Sequence, residues 1–270
     1  MKPVEVIKSI SYNQHEILRN ILDLHCGGNG PDVDITYSVG NFYGKFKHTI
    51  KEVRDDGSVV EKQEEFEIPQ PKYKFDVDPQ VDGCEKIEPW GNIPLDDNSV
   101  NVVVVDLPFV IGPRDCPSMR NKKPGSNVIG KRFSSYYPRH EMFESYEHWL
   151  SECYRILKPG GVLIWKSQPV ISGGINLMTS YYSCRVAEDL GFYIKDEFVL
   201  IAIQRLLSGK VKNQMHSRRY HSFFHVFVKD DPKREKTNYW KREFVEKYNK
   251  EMEEKNKESV ETTPIVNING

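Results

Sequence analysis

The sequence predicts an α/β fold, a doubly wound and mostly parallel sheet with an antiparallel edge strand and an inserted β-hairpin. Three observations carry this. Asn101 is followed by four consecutive valines and then Asp106, a run bounded by turn-formers, as expected of a strand covered on both faces. A helical pattern from Glu141 to Leu157 closes on Lys158-Pro159-Gly160-Gly161 and leads into a second apolar run, Val162 to Lys166. Farther on, Val199–Leu206 and His221–Val228 are spaced to form an antiparallel pair. Strands alternating with helices and then a terminal pair indicate a doubly wound sheet.

Taken in chain order, residues 13–25 place Ile17, Leu18, Ile21, Leu22 and Leu24 at helical spacing, and Gly27 to Pro31 stop that helix. Asp32 to Tyr43 reads as a short strand running into a turn. Residues 45–67 alternate weakly around Asp55-Asp56-Gly57, a hairpin where a regular α/β unit would carry a helix, so 44–70 is an insertion. Tyr73 to Asp78 is a second short strand ending in acids. Pro89 to Leu95 is a loop, and Asp96 to Ser99 a turn into the valine strand. Residues 112–139 form a long loop rich in Gly, Pro, Ser and Asn, a kind that is functional or disordered. Residues 175–190 are expected as a helix capped by Gly191, and Phe192–Leu206 as one or two strands. Past Asp230 the chain is highly charged, with an amphipathic helix over Tyr239–Met252 and a disordered end. The expected organisation is one domain over 1–229 and a helical or disordered tail over 230–270.

Composition narrows the class. The chain has 270 residues, 38% hydrophobic and 29% charged, ordinary for a soluble enzyme. It has no apolar run near the roughly 20 residues of a membrane span, and MKPVEVIKSI at its start is not expected to be a secretory signal. Its five cysteines are scattered singly, as in a reduced, cytoplasmic protein, and no metal site is expected from His25 and Cys26 alone. The net charge of −1 decides nothing about nucleic acid, but its distribution does. Within 112–139, Arg114, Arg120, Lys122, Lys123, Lys131, Arg132 and Arg139 face a single acid, Asp115. A second basic segment holds Lys210, Lys212, His216, Arg218, Arg219 and His221, with Tyr220 among them. Two local basic segments on a near-neutral chain suit a nucleic-acid groove, although ordinary solvated loops give the same composition.

The end of the valine strand is where chemistry is expected, because open α/β sheets bind ligands outside the carboxyl ends of their strands. Asp106 can accept one N–H of an exocyclic amine, the Leu107 carbonyl a second, Pro108 fixes the turn, and Phe109 can stack on the ring. A solvated Asp-x-Pro turn would look the same. Tyr136 and Tyr137 are open to two roles, stacking on a base or packing the end of the loop. Lys166, at the end of the next strand, is either a pocket residue or a surface cap.

Asp106-Leu107-Pro108-Phe109, followed by a helix and by ECYRILKPGGVLIWK, resembles a class I S-adenosylmethionine-dependent methyltransferase. More narrowly, it resembles the nucleic-acid amino-methyltransferases, whose signature is (Asp/Asn)-Pro-Pro-(Tyr/Phe). The likeness covers roughly 30 to 228, and the segments TYSVGNFY and NQMHSRRYHSFFHVFVK are similar to phage and bacterial DNA methyltransferases. Leu107 replaces the first proline, a form also seen in tRNA guanine-N2 methyltransferases. The usual glycine-rich cofactor loop is reduced to Asp34-x-Thr36-Tyr37-Ser38-x-Gly40, with one glycine.

The resemblance implies S-adenosylmethionine as cofactor. Asp34, Thr36, Tyr37 and Gly40 would lie at its methionine end, Asp76 on the ribose hydroxyls with Asp78 as competitor, and Asn92 and Ile93 by the adenine. It implies Asp106, Leu107, Pro108 and Phe109 as the catalytic set. Arg114, Lys122, Lys123, Lys131, Arg132, Arg218, Arg219 and Tyr220 would contact nucleic acid. The expected activity is methylation of an exocyclic amine of a DNA base, adenine N6 before cytosine N4. The alternatives are an RNA methyltransferase (tRNA guanine-N2 or adenine) and a non-catalytic nucleic-acid-binding relic of the fold. The expected partner is DNA, with RNA possible and no membrane; a phage or restriction partner is not readable from the chain.

Overall fold

The computed structural model describes residues 6–53, 57–112, 136, 138–203 and 215–230. Residue contacts divide the chain into Met1–Asp231 and Pro232–Gly270, and the described elements all lie in the first unit. In chain order they are β1 (Ile10–Ser11), α1 (Gln14–His25), β2 (Val33–Asp34), β3 (Gly44–Val53), β4 (Val59–Ile68), β5 (Tyr73–Asp76), β6 (Glu85–Lys86) and β7 (Val100–Asp106). There follow α2 (His140–Ile156), β8 (Leu157–Ser167), β9 (Val170–Ser172), β10 (Ile175–Leu177), α3 (Thr179–Leu190), β11 (Phe192–Ile201) and β12 (His221–Lys229).

Among the described residues the main sheet has eight strands in the order β1-β11-β12-β8-β7-β2-β5-β6. From β2 the chain steps outward to β5 and β6, then returns to β7 on the other side of β2. Strands β2 and β7 pair in parallel, Val33 beside Val103 and Asp34 beside Val104, so the order reverses between them. That crevice is where an open α/β sheet receives a ligand. Strand β12 runs antiparallel to both β8 and β11. It lies inside the sheet rather than at the expected edge, because β1 and β11 cover its far side. Phe224, Val226, Phe227 and Val228 of β12 are buried, so the strand needs cover that a rim would not supply.

Alternation along β7 builds two cores. Val103 and Val105 join Leu163, Trp165, Trp149 and Leu150 under α2 and α3. Val102 and Val104 join Ile164, Phe224 and the Ile17, Leu18, Ile21 and Leu22 stripe of α1. Helix α1 starts where the Asn13 side chain accepts from the His15 N–H at 2.9 Å, an N-cap. The hairpin of β3 and β4 contributes Phe66 and Ile68 to the α1 side, so the insertion packs where a helix would otherwise lie.

Two elements differ from the sequence reading. Helix α3 begins only at Thr179, because Gly173 and Gly174, with φ of 58° and 77°, turn β9 into β10 ahead of it. Strand β8 starts at Leu157, so Lys158-Pro159-Gly160-Gly161 lies at its head instead of preceding it. The Lys229 ammonium donates to the carbonyls of Tyr154 and Leu157 and to Asn98, at 2.6–2.8 Å, holding the end of α2 against the sheet.

Trp165 is the measure of this core: it is fully buried, donates to Ser183 Oγ at 3.1 Å and meets Tyr146 edge to face. Trp165→Ala should cost about 3–5 kcal/mol of folding stability, read by urea unfolding.

Candidate functional site

Three adjacent strands carry charged residues at or beside their ends at the crevice: Asp34 closes β2, Asp106 closes β7, and Lys166 is the residue before the last of β8. Asp106 and Lys166 are register partners, and Lys166 is the partner of Phe224 on β12. The Lys166 ammonium lies 2.7 Å from Asp106 Oδ2, their side chains 13% and 25% exposed. It also sits over the rings of Phe42 and Phe224, at 5.2 and 5.5 Å.

Asp34 is buried, and both of its oxygens are in use. Oδ1 accepts from the Thr36 N–H and hydroxyl at 2.8 and 3.1 Å, and Oδ2 accepts from the Tyr43 hydroxyl at 2.6 Å. Thr36 Oγ1 in turn accepts the Asp106 N–H at 2.8 Å. The two strand ends are thereby tied together, and Asp34 acts as an internal staple, not as a surface facing a ligand.

Burial is the main influence on the Asp34 carboxyl, pushing it up to about 7 against the hydrogen bonds of Tyr43 and Thr36, with Asp106 adding to the rise. A carboxyl raised in the folded state binds more protons there than in the unfolded chain. Its stabilising contribution is therefore greatest below the unfolded value near 3.8 and is lost as pH rises toward 7. Asp34→Asn should flatten that decline, which is at most about 1.4 kcal/mol per pH unit. Urea unfolding of both proteins across that range measures it.

Gly40 closes the loop with φ 73°, and its N–H donates to the Tyr37 carbonyl at 2.8 Å. Tyr37 is buried, donates its hydroxyl to Gln70 at 2.5 Å and stacks on Tyr43. Asp76, at the end of β5, accepts the Ser38 N–H at 2.8 Å and the Asp78 N–H at 2.9 Å. Burial raises the Asp76 carboxyl above its usual range against those two bonds. Asn92 is exposed. Ile93 is a core residue, its N–H donating to Glu152 at 2.8 Å and its carbonyl accepting from Arg155 at 2.8 Å.

After Asp106, Leu107 is buried in the α2 core, and Pro108 and Phe109 are partly exposed. Tyr136 lies in that core too: it is fully buried, with its hydroxyl 3.3 Å from Ser145 Oγ and its ring edge-on to Tyr146. A stacking role for it is thus replaced by packing. It bridges to Ile111, which fixes where residues 111 and 136 meet. Arg218 and Tyr220 are exposed and Arg219 half-exposed, on the segment before β12, whose start lies at the same end of the sheet as Lys166. Arg114, Lys122, Lys123, Lys131, Arg132 and Tyr137 lie outside the described residues.

His25 Nε2 lies 2.9 Å from Asp196 Oδ2. Among the described residues no group of three or more His, Cys, Asp or Glu is placed to hold a metal ion. None of the described helices is long and apolar enough to cross a membrane.

Residues that sequence reasoning missed are those reached across the fold. Phe42 follows the loop and Phe224 sits mid-strand, both reading as ordinary core aromatics. Gln14 approaches Lys166 at 3.5 Å, and His15 stacks on Phe46 with ring centroids 3.6 Å apart. No local spacing signals either of them.

Compared with known proteins, the chain matches the model of the DNA methylase family N6_N4_Mtase over residues 100–268, from the first residue of β7 onward. No curated protein matches it. Among solved structures it is similar to a candidate DNA modification methylase of Thermus thermophilus, at 15% identity and TM-score 0.34, covering 53% of this chain and 50% of that one. The same Thermus thermophilus protein complexed with S-adenosyl-L-methionine matches at 14% identity and TM-score 0.33, covering 53% and 51%. A candidate methyltransferase in complex with the Trm112 activator of Haloferax volcanii matches at 14% identity and TM-score 0.34, covering 58% and 71%. The chain spans about half the length of the Thermus protein.

Proposed function

The chain belongs to the DNA methylase family N6_N4_Mtase, whose model covers more than half of it, and from that premise we propose that it methylates an exocyclic amine of a DNA base. Adenine N6 is the first target and cytosine N4 the second. The observation that carries this reading is Asp106-Leu107-Pro108-Phe109 at the carboxyl end of β7, beside the point where the strand order reverses.

S-adenosylmethionine is the methyl donor of the family, and when bound it supplies an electrophilic methyl group. The residues at the ends of β2 and β5 fit it. Asp76 accepts backbone N–H groups, those of Ser38 and Asp78 among them, and as a carboxylate at the end of β5 is suited to accept from a ribose hydroxyl as well. The turn through Ser38 and Gly40 supports the same cradle, with Asp34, Thr36 and Tyr37 holding that turn from behind.

Asp106 accepts an N–H of the target amine and stabilises the positive charge that grows on nitrogen as the methyl arrives. The Leu107 carbonyl accepts the second N–H, and Pro108 keeps the two acceptors in a fixed relation. Phe109 stacks on the base, which in a duplex must first leave the helix at a cost of about a few kcal/mol. Arg218, Arg219 and Tyr220, at the same end of the sheet, are suited to backbone contacts, and the sequence of 112–139 holds further basic residues of the same kind.

The test is transfer of labelled methyl to duplex DNA, single-stranded DNA and bulk tRNA in parallel, with products resolved by nucleoside mass spectrometry. Methyladenine or methylcytosine in DNA is the expected product. Label in tRNA alone would move the substrate to RNA. No label, with no cofactor binding by calorimetry, would leave a binding protein that has kept the fold.

A further inference from the structure

We propose that Lys166 is a positioning residue for methyl transfer, acting through Asp106, whose carboxylate it orients as a hydrogen-bond acceptor. This rests on the function proposed above. The ammonium contacts Asp106 Oδ2 at 2.7 Å, which leaves Oδ1 to face an incoming amine. The contact is set by strand register, not by chance at a surface, because Asp106 and Lys166 are paired residues of adjacent parallel strands.

The surroundings explain why a cation is needed there. Asp34, the neighbouring strand end, is a second acid close enough to feel the Asp106 charge, and Tyr43 and Tyr146 feel it as well. Among these groups Lys166 fixes the Asp106 carboxylate in one orientation through the 2.7 Å contact to Oδ2. Its ammonium cannot drift to solvent cheaply, since its side chain is 13% exposed and caged by the Phe42 and Phe224 rings. On the α1 side it faces Gln14 and His15, and its charge adds to burial in lowering the His15 imidazole against the Asn41 hydrogen bond.

Two experiments test this. In methyl transfer, Lys166→Met should lower kcat near neutrality by about 10-fold to 100-fold, the effect of removing an outer partner of a site ligand, with KM for DNA little changed. Lys166→Arg, which keeps a cation at the same register position, should recover most of the lost kcat. Wild-type kcat in Lys166→Met, or a faster Lys166→Met enzyme, would overturn the proposal, the latter by making Lys166 a competitor for the amine subsite.

The second experiment needs no activity. In competitive acetylation read by mass spectrometry, Lys166 should be among the slowest lysines in the wild-type chain. It should speed up severalfold in Asp106→Asn. Fast labelling of Lys166 in the wild type would refute the pairing. If the wild type labels Lys166 slowly yet methylates no nucleic acid, the pairing holds while the functional reading, and with it a catalytic purpose for Lys166, fails.

Discussion

Asp106→Ala should reduce methyl transfer to DNA by about 10²–10³-fold, the loss that follows removal of one preorganised group aimed at developing charge. Labelled methyl transfer at saturating DNA and cofactor reads it as a fall in kcat. The same substitution strands Lys166, whose ammonium loses its carboxylate partner while staying over two aromatic rings. Breaking a fully buried pair costs about 3–5 kcal/mol. Here the loss should be smaller, because the Asp106 side chain is 25% exposed and water can screen the remaining charge. Asp106→Asn separates the two effects. Its amide oxygen can still accept from Lys166, so folding should be nearly retained while the charge that favours the methylated amine is gone. An Asp106→Asn chain that folds like the wild type and transfers methyl at an unchanged rate would show that an oxygen acceptor suffices there without the charge, whereas an unchanged rate in Asp106→Ala would remove Asp106 from the chemistry.

The strand end that carries this prediction was legible because it is local. A valine run, a carboxylate and a proline turn follow one another in the chain, and their chemistry needs no distant residue to be recognised. The two-layer alternation along β7 and the helical stripe of α1 are local in the same sense, since side-chain period alone sets them. What the sequence does not reveal depends on register between distant segments. Lys166 meets Asp106 only because β8 pairs with β7 without slipping by a residue over that stretch. Phe42 and Phe224 close on it from a loop and from the antiparallel strand, nearly the whole domain apart in the chain. The Gly173-Gly174 turn was hidden for another reason. Its flanks, Val170–Ser172 and Ile175–Leu177, are too short for a clear period, so the helix that follows appeared to begin early. Lys229 resembled a solvated strand end until the fold brought the Tyr154 and Leu157 carbonyls to it.

The loop after β2 gives the second large effect, from Gly40→Ala. The backbone there has φ 73°, and an added Cβ would lie 2.4 Å from the Tyr37 hydroxyl oxygen and 2.6 Å from its ring carbon Cζ. Tyr37 has little room to yield: its N–H donates to the Phe75 carbonyl at 3.0 Å, its hydroxyl to Gln70, and its ring is stacked 5.7 Å from that of Tyr43. The left-handed backbone should cost about 1–3 kcal/mol for a residue other than glycine, and the overlap about 1–3 kcal/mol more. For a domain of this size the midpoint of thermal unfolding should fall by at least about 5 °C. The damage should also travel. A displaced Tyr37 pushes on Tyr43, which holds Asp34, which holds Thr36, whose oxygen accepts the Asp106 N–H. Cofactor binding by calorimetry should therefore weaken together with stability. Tyr37→Phe is the control: it removes the hydroxyl oxygen but leaves Cζ in the way, so pairing it with Gly40→Ala should rescue little. Wild-type melting and cofactor affinity in Gly40→Ala would show that the loop can open at this turn, and that its single glycine is dispensable.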